Sequence, residues 1–421
     1  MSPARPCSSC WAPSWVIVGG PSTRRRCARG TGSYPSATPC WCTVHIDVEA
    51  TVGAARAGTI RTQRGVVRTP VFMPVGTRGA VRTLDTTDLE LLGPPIVLAN
   101  TYHLMLRPGA DAVAARGGLH RFMDWQGHLL TDSGGYQVFS LAPTVDEDGA
   151  TFASTYDGSR HRLTPELAVD IQCKLGADIQ MALDVCPGLP APLAEIRAAT
   201  ERTHRWAERA RTAFLETSPR HVGDDGYRPA RLEQFGIVQG GIDPGLRASS
   251  ARAIVDIGFD GYALGGLSVG ESRAEMVPAI AAATPLLPVD RPRYLMGVGD
   301  PARIVDAIAH GIDLFDCVLP TRLARHGTVL TSQGRLNLRN ARFANDDGPL
   351  DPAVDLPVTR RYSRAYLRHL FSVHELTAMR IVTLHNLAWL AMLLDRVRAS
   401  IIEGTFEALR AEVLGVWGDA D

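Results

Sequence analysis

From about residue 44 onward, short apolar runs alternate with longer segments of helical period. "PPIVLANTYHL", "GHLLTDSGG", "ADIQMALDV", "EQFGIVQGG", "GYALGGLS", "RYLMGVG" and "IDLFDCVLP" each read as a buried strand stopped by Gly, Pro or a polar residue. Between them lie helices. "TPELAVDIQCKLG" has a Thr164 cap, Pro165 in the first turn and Gly176 at its end. Leu193 to Glu216 is amphipathic, Pro244 to Ile257 follows "QGG", and "RPGADAVAARGG" is a further helix. "AGTIRTQRGVVRTPVFMPVG" reads as a hairpin turning at Gln63 to Gly65, and "GATFASTYDGSRHRLT" as one inserted in the alternation. After Asp316, "GTVLTSQGRLNLRN" is another hairpin, followed by a Pro- and Asp-rich loop to Leu356 and then mostly helix.

Repeated strand–helix order implies parallel strands, and about eight such units fit a (β/α)8 barrel with inserted hairpins and a C-terminal α+β subdomain at about 327–390. A doubly wound open sheet is the alternative. No G-x-G-x-x-G opens a helix after the first strand, which argues against a dinucleotide fold.

Polar residues collect at one place in these units, the C-terminal end of each strand. Asp132 ends "HLLTD", Asp184 "IQMALD", Gln239 "GIVQ" and Asp316 "DLFD", while Gly265 and Gly266 end "GYALGG". In a barrel these ends meet at one mouth. A single such acid is usually a helix cap; three acids and a glutamine suggest a shared site. The glycines of "DSGG", "QGG" and "LGGL" let backbone approach a ligand, although tight turns alone would also use them. Carboxylate, amide and peptide groups match the edge of a flat polar base, and Tyr136 and Met296 would supply apolar faces. Two acids also suit displacement at a sugar carbon, one attacking and one moving a proton. His103 has no partner at metal-ligand spacing and reads as a structural hydrogen-bonding residue.

Composition adds limits. The 421 residues carry no net charge, so global charge names no polyanionic partner. Lys174 is the only lysine, so the abundance of arginine says little about phosphate binding. No stretch reads as the ~20 apolar residues of a membrane span. Residues 1–43 differ from the rest and hold five of the eight cysteines. Their "CWAPSWVIVGG" is a poor secretory core, interrupted by Pro and followed by arginines. The segment "CSSC" and "CWC" lacks a metal-knuckle context, and we expect a disordered extension or a start upstream of the native one. Cys173, Cys186 and Cys317 are too few for a disulfide framework, which fits a reducing cytoplasm.

"LTDSGGYQVFSL", "MALDVCPG", "FGIVQGG", "GYALGGLSVGE", "YLMGVGDP" and "FDCVLPTRLARHG" together resemble the tRNA-guanine transglycosylases, from about His45 to the C-terminus. The resemblance implies exchange of guanine at the anticodon wobble position of GUN tRNAs for a 7-deazaguanine, without a cofactor. It makes Asp316 the nucleophile on ribose C1′, forming a covalent tRNA–enzyme intermediate, and Asp132 the general acid/base. Asp132, Ser133, Gly134, Gly135, Tyr136, Asp184, Gln239, Gly266, Leu267 and Met296 would surround the base. Two segments match RNA-contacting motifs: Gly297, Val298, Gly299, Asp300, Pro301, Ala302 and Arg303, then Thr321, Arg322, Leu323, Ala324 and Arg325. The arginines beside Asp316 would hold anticodon-loop phosphates. A homodimer away from membranes is implied as well.

Cys186 and Val269 resemble the bacterial form, which takes the aminomethyl-deazaguanine precursor of queuine, and Glu271 would help hold its cation. Val185 stands where bacterial relatives usually carry Glu, which leaves queuine salvage open. A non-catalytic tRNA-binding partner subunit would lack catalytic acids, whereas Asp132 and Asp316 are both present. An unrelated barrel enzyme acting on a phosphorylated ligand would need a phosphate loop near the last strands. Relatives also carry a late zinc site of three cysteines and a histidine. Here those cysteine positions read Val354, Leu356 and Thr359, with His385 retained before Asn386. We therefore expect no metal, and an apolar patch of Val354, Leu356 and Val358 in its place.

Overall fold

Eight short strands lie parallel in one sheet: β1 (Val71–Met73), β2 (Ile96–Ala99), β3 (His128–Thr131), β4 (Ile179–Met181), β5 (Glu233–Val238), β6 (Gly261–Leu264), β7 (Arg293–Leu295) and β8 (Leu314–Asp316). Their order is β1-β8-β7-β6-β5-β4-β3-β2. A parallel bridge between Val75 and Leu98 joins the two ends, so the sheet closes as a (β/α)8 barrel rather than an open sheet. The computed structural model describes residues 44–62, 64–223 and 231–418. The expectations for residues 1–43 and for Gln63 in the hairpin turn lie outside the described residues.

Strand alternation divides the core into two layers. Ile96 and Leu98 join Leu130, Ile179, Met181, Ile237, Ala263 and Tyr294 inside the barrel, whereas Val97, Ala99, Leu264 and Phe315 face the helices. An antiparallel sheet of His45–Val52, Ala55–Thr62 and Gly65–Thr69 covers the barrel floor, with Ile46, Ile60 and Val67 in the interior cluster. It is fastened there by a buried ion pair from Arg56 to Asp313, just before β8. With the floor closed, ligand access is from the other end, where the strand C-termini lie.

Several boundaries differ from the sequence reading. The run "VFM", placed in the first hairpin, is barrel strand β1, since Pro70 ends the hairpin strand and the chain re-enters as the ring's first member. The strand in "PPIVLANTYHL" stops at Ala99, and Thr101–Leu106 is helical. "RPGADAVAARGG" yields only a short helix, Ala110–Ala114, before a second at Gly118–Met123. Pro320 does not end the segment after Asp316; it occupies the first turn of a helix, Leu319–Arg325, where a missing N–H costs nothing.

The C-terminal part contains the hairpin Thr328–Thr331/Gly334–Asn337 and the helices Pro357–Arg360, Arg364–Ser372, Leu376–Ile402 and Phe406–Trp417. By length and composition Leu376–Ile402 could cross a membrane, contrary to the sequence reading that no stretch approaches a span, but most of that stretch is packed inside the protein. Asn386 on this helix accepts from Leu330 N at 2.9 Å and donates to Pro320 O and Thr328 O at 3.0 Å. It thereby ties the hairpin to the helix that follows Asp316.

Val354 and Leu356 are buried in the main core, and Val358 packs against it. Thr359 donates its hydroxyl to Leu356 O at 2.9 Å. His385 is fully buried; its Nε2 meets Leu330 O at 3.0 Å, and its Nδ1 has no hydrogen-bond partner among the described residues. One imidazole nitrogen, two aliphatic side chains and an engaged hydroxyl do not supply the ligands of a zinc site.

Candidate active site

Asp132 lies one residue beyond β3 and is 8% exposed. Its Oδ1 accepts from Thr101 N at 2.7 Å and Gly134 N at 3.2 Å; its Oδ2 accepts from Asn100 Nδ2 and, at 3.1 Å, from Gln137 Nε2. Burial nevertheless raises its pKa to about 6, the Asp316 charge acting in the same direction and the donors opposing. This places its proton exchange near neutrality, as a general acid/base requires.

Asp316 ends β8. Its Oδ1 accepts from Tyr294 Oη at 2.5 Å and Gly297 N at 2.7 Å. Burial raises its pKa, and those two donors resist the rise. Tyr294 is fully buried, and burial with the Asp316 charge holds its phenol well above the usual range, so it remains a donor. Among the described residues no donor reaches Oδ2 of Asp316. One oxygen is therefore held and the other is available.

Asp184 and Gln239 form a hydrogen-bonded acid–amide pair beyond β4 and β5. Asp184 Oδ2 accepts from Gln239 Nε2 at 2.6 Å and Oδ1 from Ser133 Oγ at 3.2 Å. Burial raises the Asp184 pKa against these two donors. Gly266, beyond β6, has φ +66°, and a Cβ there would come within 2.6 Å of Gln239 Oε1. A Cβ on Gly135 would lie 3.1 Å from Asp184 Oδ1. Here the glycines of "DSGG" and "LGGL" make room beside the acid–amide pair. Leu267 is buried, Tyr136 is 58% exposed, and Met296 is half-buried against the barrel-interior cluster. The ends of β3, β4, β5, β6 and β8 thus bring two acids into mutual electrostatic range and set an acid–amide pair on the same rim.

The family profile of queuine tRNA-ribosyltransferase matches residues 51–418. The chain belongs to the queuine tRNA-ribosyltransferase family. It is 52% identical to the queuine tRNA-ribosyltransferase of Solidesulfovibrio magneticus over 375 residues, 88% of this chain and 96% of the relative. It is 49% identical to that of Herpetosiphon aurantiacus, covering 86% of this chain and 89% of the relative. To that of Gluconacetobacter diazotrophicus it is 50% identical, covering 88% and 93%. The protein is a pentosyltransferase, a tRNA-guanine transglycosylase of queuosine biosynthesis whose substrate is tRNA.

The two segments that resemble RNA-contacting motifs differ in availability. Val298, Gly299, Pro301 and Ala302 are buried. Asp300 caps the helix Pro301–Ala309 and takes Arg335 on Oδ2 at 2.9 Å; Arg303 reaches Glu271, at 3.4 Å to its carboxylate. Most of that segment is therefore engaged within the fold. In the second segment Thr321 and Ala324 are buried, Leu323 is half-buried and Arg322 is exposed. Arg325 donates to Thr321 Oγ1 at 3.2 Å, and burial with the charges of Arg82 and Arg322 lowers its pKa. Neither Arg322 nor Arg325 pairs with a carboxylate among the described residues. Glu271 is buried, receiving Val269 N at 3.0 Å and Arg303. His103 meets Tyr156 Oη at 3.0 Å, the structural role expected of it.

Sequence reasoning missed Tyr294, Asn100, Thr101 and Gln137. Tyr294 sits inside the strand "RYL" and reads as core. Asn100 and Gln137 stand beside motifs that were singled out, and their signal was a side-chain amide at a strand end or first helical turn.

Proposed function

We propose that this enzyme exchanges guanine at the wobble position of GUN-anticodon tRNAs for a 7-deazaguanine through a covalent intermediate. The observation that carries the proposal is Asp316, held through Oδ1 by Tyr294 and Gly297, with Oδ2 free. Oδ2 attacks ribose C1′. The C1′–N9 bond breaks and its electron pair leaves with guanine, which takes a proton from Asp132. The incoming base loses its N9 proton to Asp132 and attacks C1′, which releases Asp316. Charge and protons balance over the two steps, and no cofactor is consumed. The target nucleotide must leave its stack to reach the mouth, as in other base-modifying enzymes.

Asp184, Gln239 and the Gly266 backbone read the base edge, with Ser133 to Tyr136, Leu267 and Met296 around it. The aminomethyl-deazaguanine precursor is the substrate this reading favours, on Cys186 and Val269. With Glu271 already bound by Arg303 and Val269 N, the cation is left to other acceptors or to a rearrangement of that carboxylate. Queuine salvage is the second reading, carried by Val185. The enzyme acts as a homodimer in this proposal.

The test is radiolabelled guanine exchange into GUN tRNA, with denaturing electrophoresis of trapped enzyme–tRNA. Wild type should exchange and give an adduct. Asp316→Asn should do neither while still binding tRNA; an adduct persisting in that variant would assign the nucleophile elsewhere.

A further inference from the structure

Arg247 is fully buried on the helix Pro244–Ile257, yet no carboxylate is bonded to it among the described residues. All its hydrogen bonds go to backbone carbonyls: Nε to Gly241 O at 2.7 Å, Nη1 to Val238 O at 2.9 Å and Nη2 to Gly266 O at 3.2 Å. The fork thus spans the C-terminal ends of β5 and β6. A buried guanidinium without a bonded acid is costly, and burial lowers its pKa to about 10. A neutral apolar residue would fill the space more cheaply, so the three carbonyls are what this side chain serves.

The local backbone is shaped for this contact. Gly240 has φ +138°, and a Cβ there would lie 2.8 Å from Arg247 N. The second residue of "QGG" therefore lets the helix start close enough for Arg247 to reach inward. The same helix supports Gln239, whose N–H donates to Ser250 Oγ at 3.1 Å. On the far side of the fork, the N–H groups of Gly266 and Leu267 donate to no acceptor among the described residues. The Gly266–Leu267 peptide is planar, so the Leu267 N–H points opposite to the carbonyl that Arg247 holds.

We propose that Arg247 is a positioning residue for base recognition: by holding the Gly266 carbonyl and the end of β5 together, it fixes the free N–H groups of Gly266 and Leu267 against the purine edge beside Gln239. The inference rests on the base-reading role proposed for Gly266. It separates Arg247 from residues that touch RNA, since its effect falls on the base and not on the tRNA.

Steady-state guanine exchange with purified full-length Arg247→Met and Arg247→Lys tests it, with guanine and tRNA varied in turn. For Met we expect the guanine KM to rise about tenfold, the scale of one or two lost hydrogen bonds, with tRNA KM unchanged and kcat reduced less. Lys retains the charge and a donor and should show the same split at smaller size, which keeps the test available if Met does not fold. Wild-type guanine KM in a folded variant would overturn the proposal. So would a parallel loss of kcat and both KM values, which marks a merely structural arginine. Wild-type enzyme that exchanges no guanine would instead sink the underlying reading of the reaction.

Discussion

Tyr294 donates its hydroxyl proton to Oδ1 of Asp316 across 2.5 Å, and Gly297 N–H reaches the same oxygen at 2.7 Å. Two donors hold one oxygen of the carboxylate, while Oδ2 meets no donor among the described residues. They also resist the upward pKa shift that burial imposes. Removing the hydroxyl as Tyr294→Phe should raise the Asp316 pKa further, because a donor to the ionised form is lost. In the proposed reaction Asp316 must be ionised to attack, so the acid limb of the pH–rate profile should move to higher pH. A hydrogen bond to a charged group is worth about 1.5–3 kcal/mol, which corresponds to a loss of about 10- to 100-fold at the acid end. A variant profile overlaying wild type would show that this bond does not govern the nucleophile.

The acid/base role proposed for Asp132 couples catalysis to stability. Asp132→Asn should slow exchange by ~10²–10⁴, the usual contribution of an acid/base group. Its folded pKa, about 6, exceeds the ordinary 3.8, so the native state binds the proton more tightly than the unfolded chain. The native protein is thus favoured below about pH 4, and that advantage is lost as pH rises through about 6. The shift of about two units is worth about 3 kcal/mol. Urea unfolding of wild type and Asp132→Asn at pH 4 and pH 7.5 checks the sign: the variant should gain on wild type at the higher pH. An equal difference at both values would contradict the raised pKa.

The pattern of strand ends is enough to predict this cluster from the sequence. Asp132, Asp184, Gln239 and Asp316 each follow an apolar run, and a closed parallel barrel can only bring such positions to one rim. Tyr294 was not visible, because a tyrosine between Arg293 and Leu295 has the same pattern whether it fills the core or orients an acid. Asn100 was missed for a related reason: "TYHL" is apolar enough to extend the strand, and only the three-dimensional turn at Ala99 brings the amide to Asp132. The first barrel strand was merged into the preceding hairpin since Pro70 alone separates two extended runs. The helix carrying the arginines after Asp316 was not read because Pro320 signals a break, although a proline in the first turn of a helix is equally compatible with starting one.

Arg322 and Arg325 provide a test on the RNA side. They share a short helix next to Asp316, and neither has a carboxylate partner among the described residues, unlike Arg303, which is engaged by Glu271. Replacing both with Ala should weaken tRNA binding and reduce the slope of log affinity against log salt by about one to two units, roughly one per lost phosphate contact. Exchange at saturating tRNA should change less than binding. If affinity and salt slope stay at wild-type values, these arginines are solvated surface charges and the phosphates are held elsewhere.

The late histidine makes a prediction about metal. His385 Nδ1 meets no partner among the described residues, and the positions where the family resemblance implies cysteines hold Val354, Leu356 and Thr359, two of them aliphatic and the third already donating to a carbonyl. Elemental analysis of purified protein should therefore find no stoichiometric zinc, and chelators should leave its melting temperature unchanged. One tightly held zinc per chain, removed only with unfolding, would overturn this. Acid should take over the role of chelator as the lever on this region. Burial lowers the His385 pKa to about 4, from an ordinary 6.5, so its neutral form contributes stability fully above about pH 6.5. That contribution, about 3 kcal/mol, should be lost as pH falls to about 4, where the buried ring must charge. His385→Gln keeps a donor for Leu330 O and does not titrate, so its unfolding free energy should fall less than wild type over that interval. Identical acid dependence in the two proteins would show that the buried imidazole is not the titrating group.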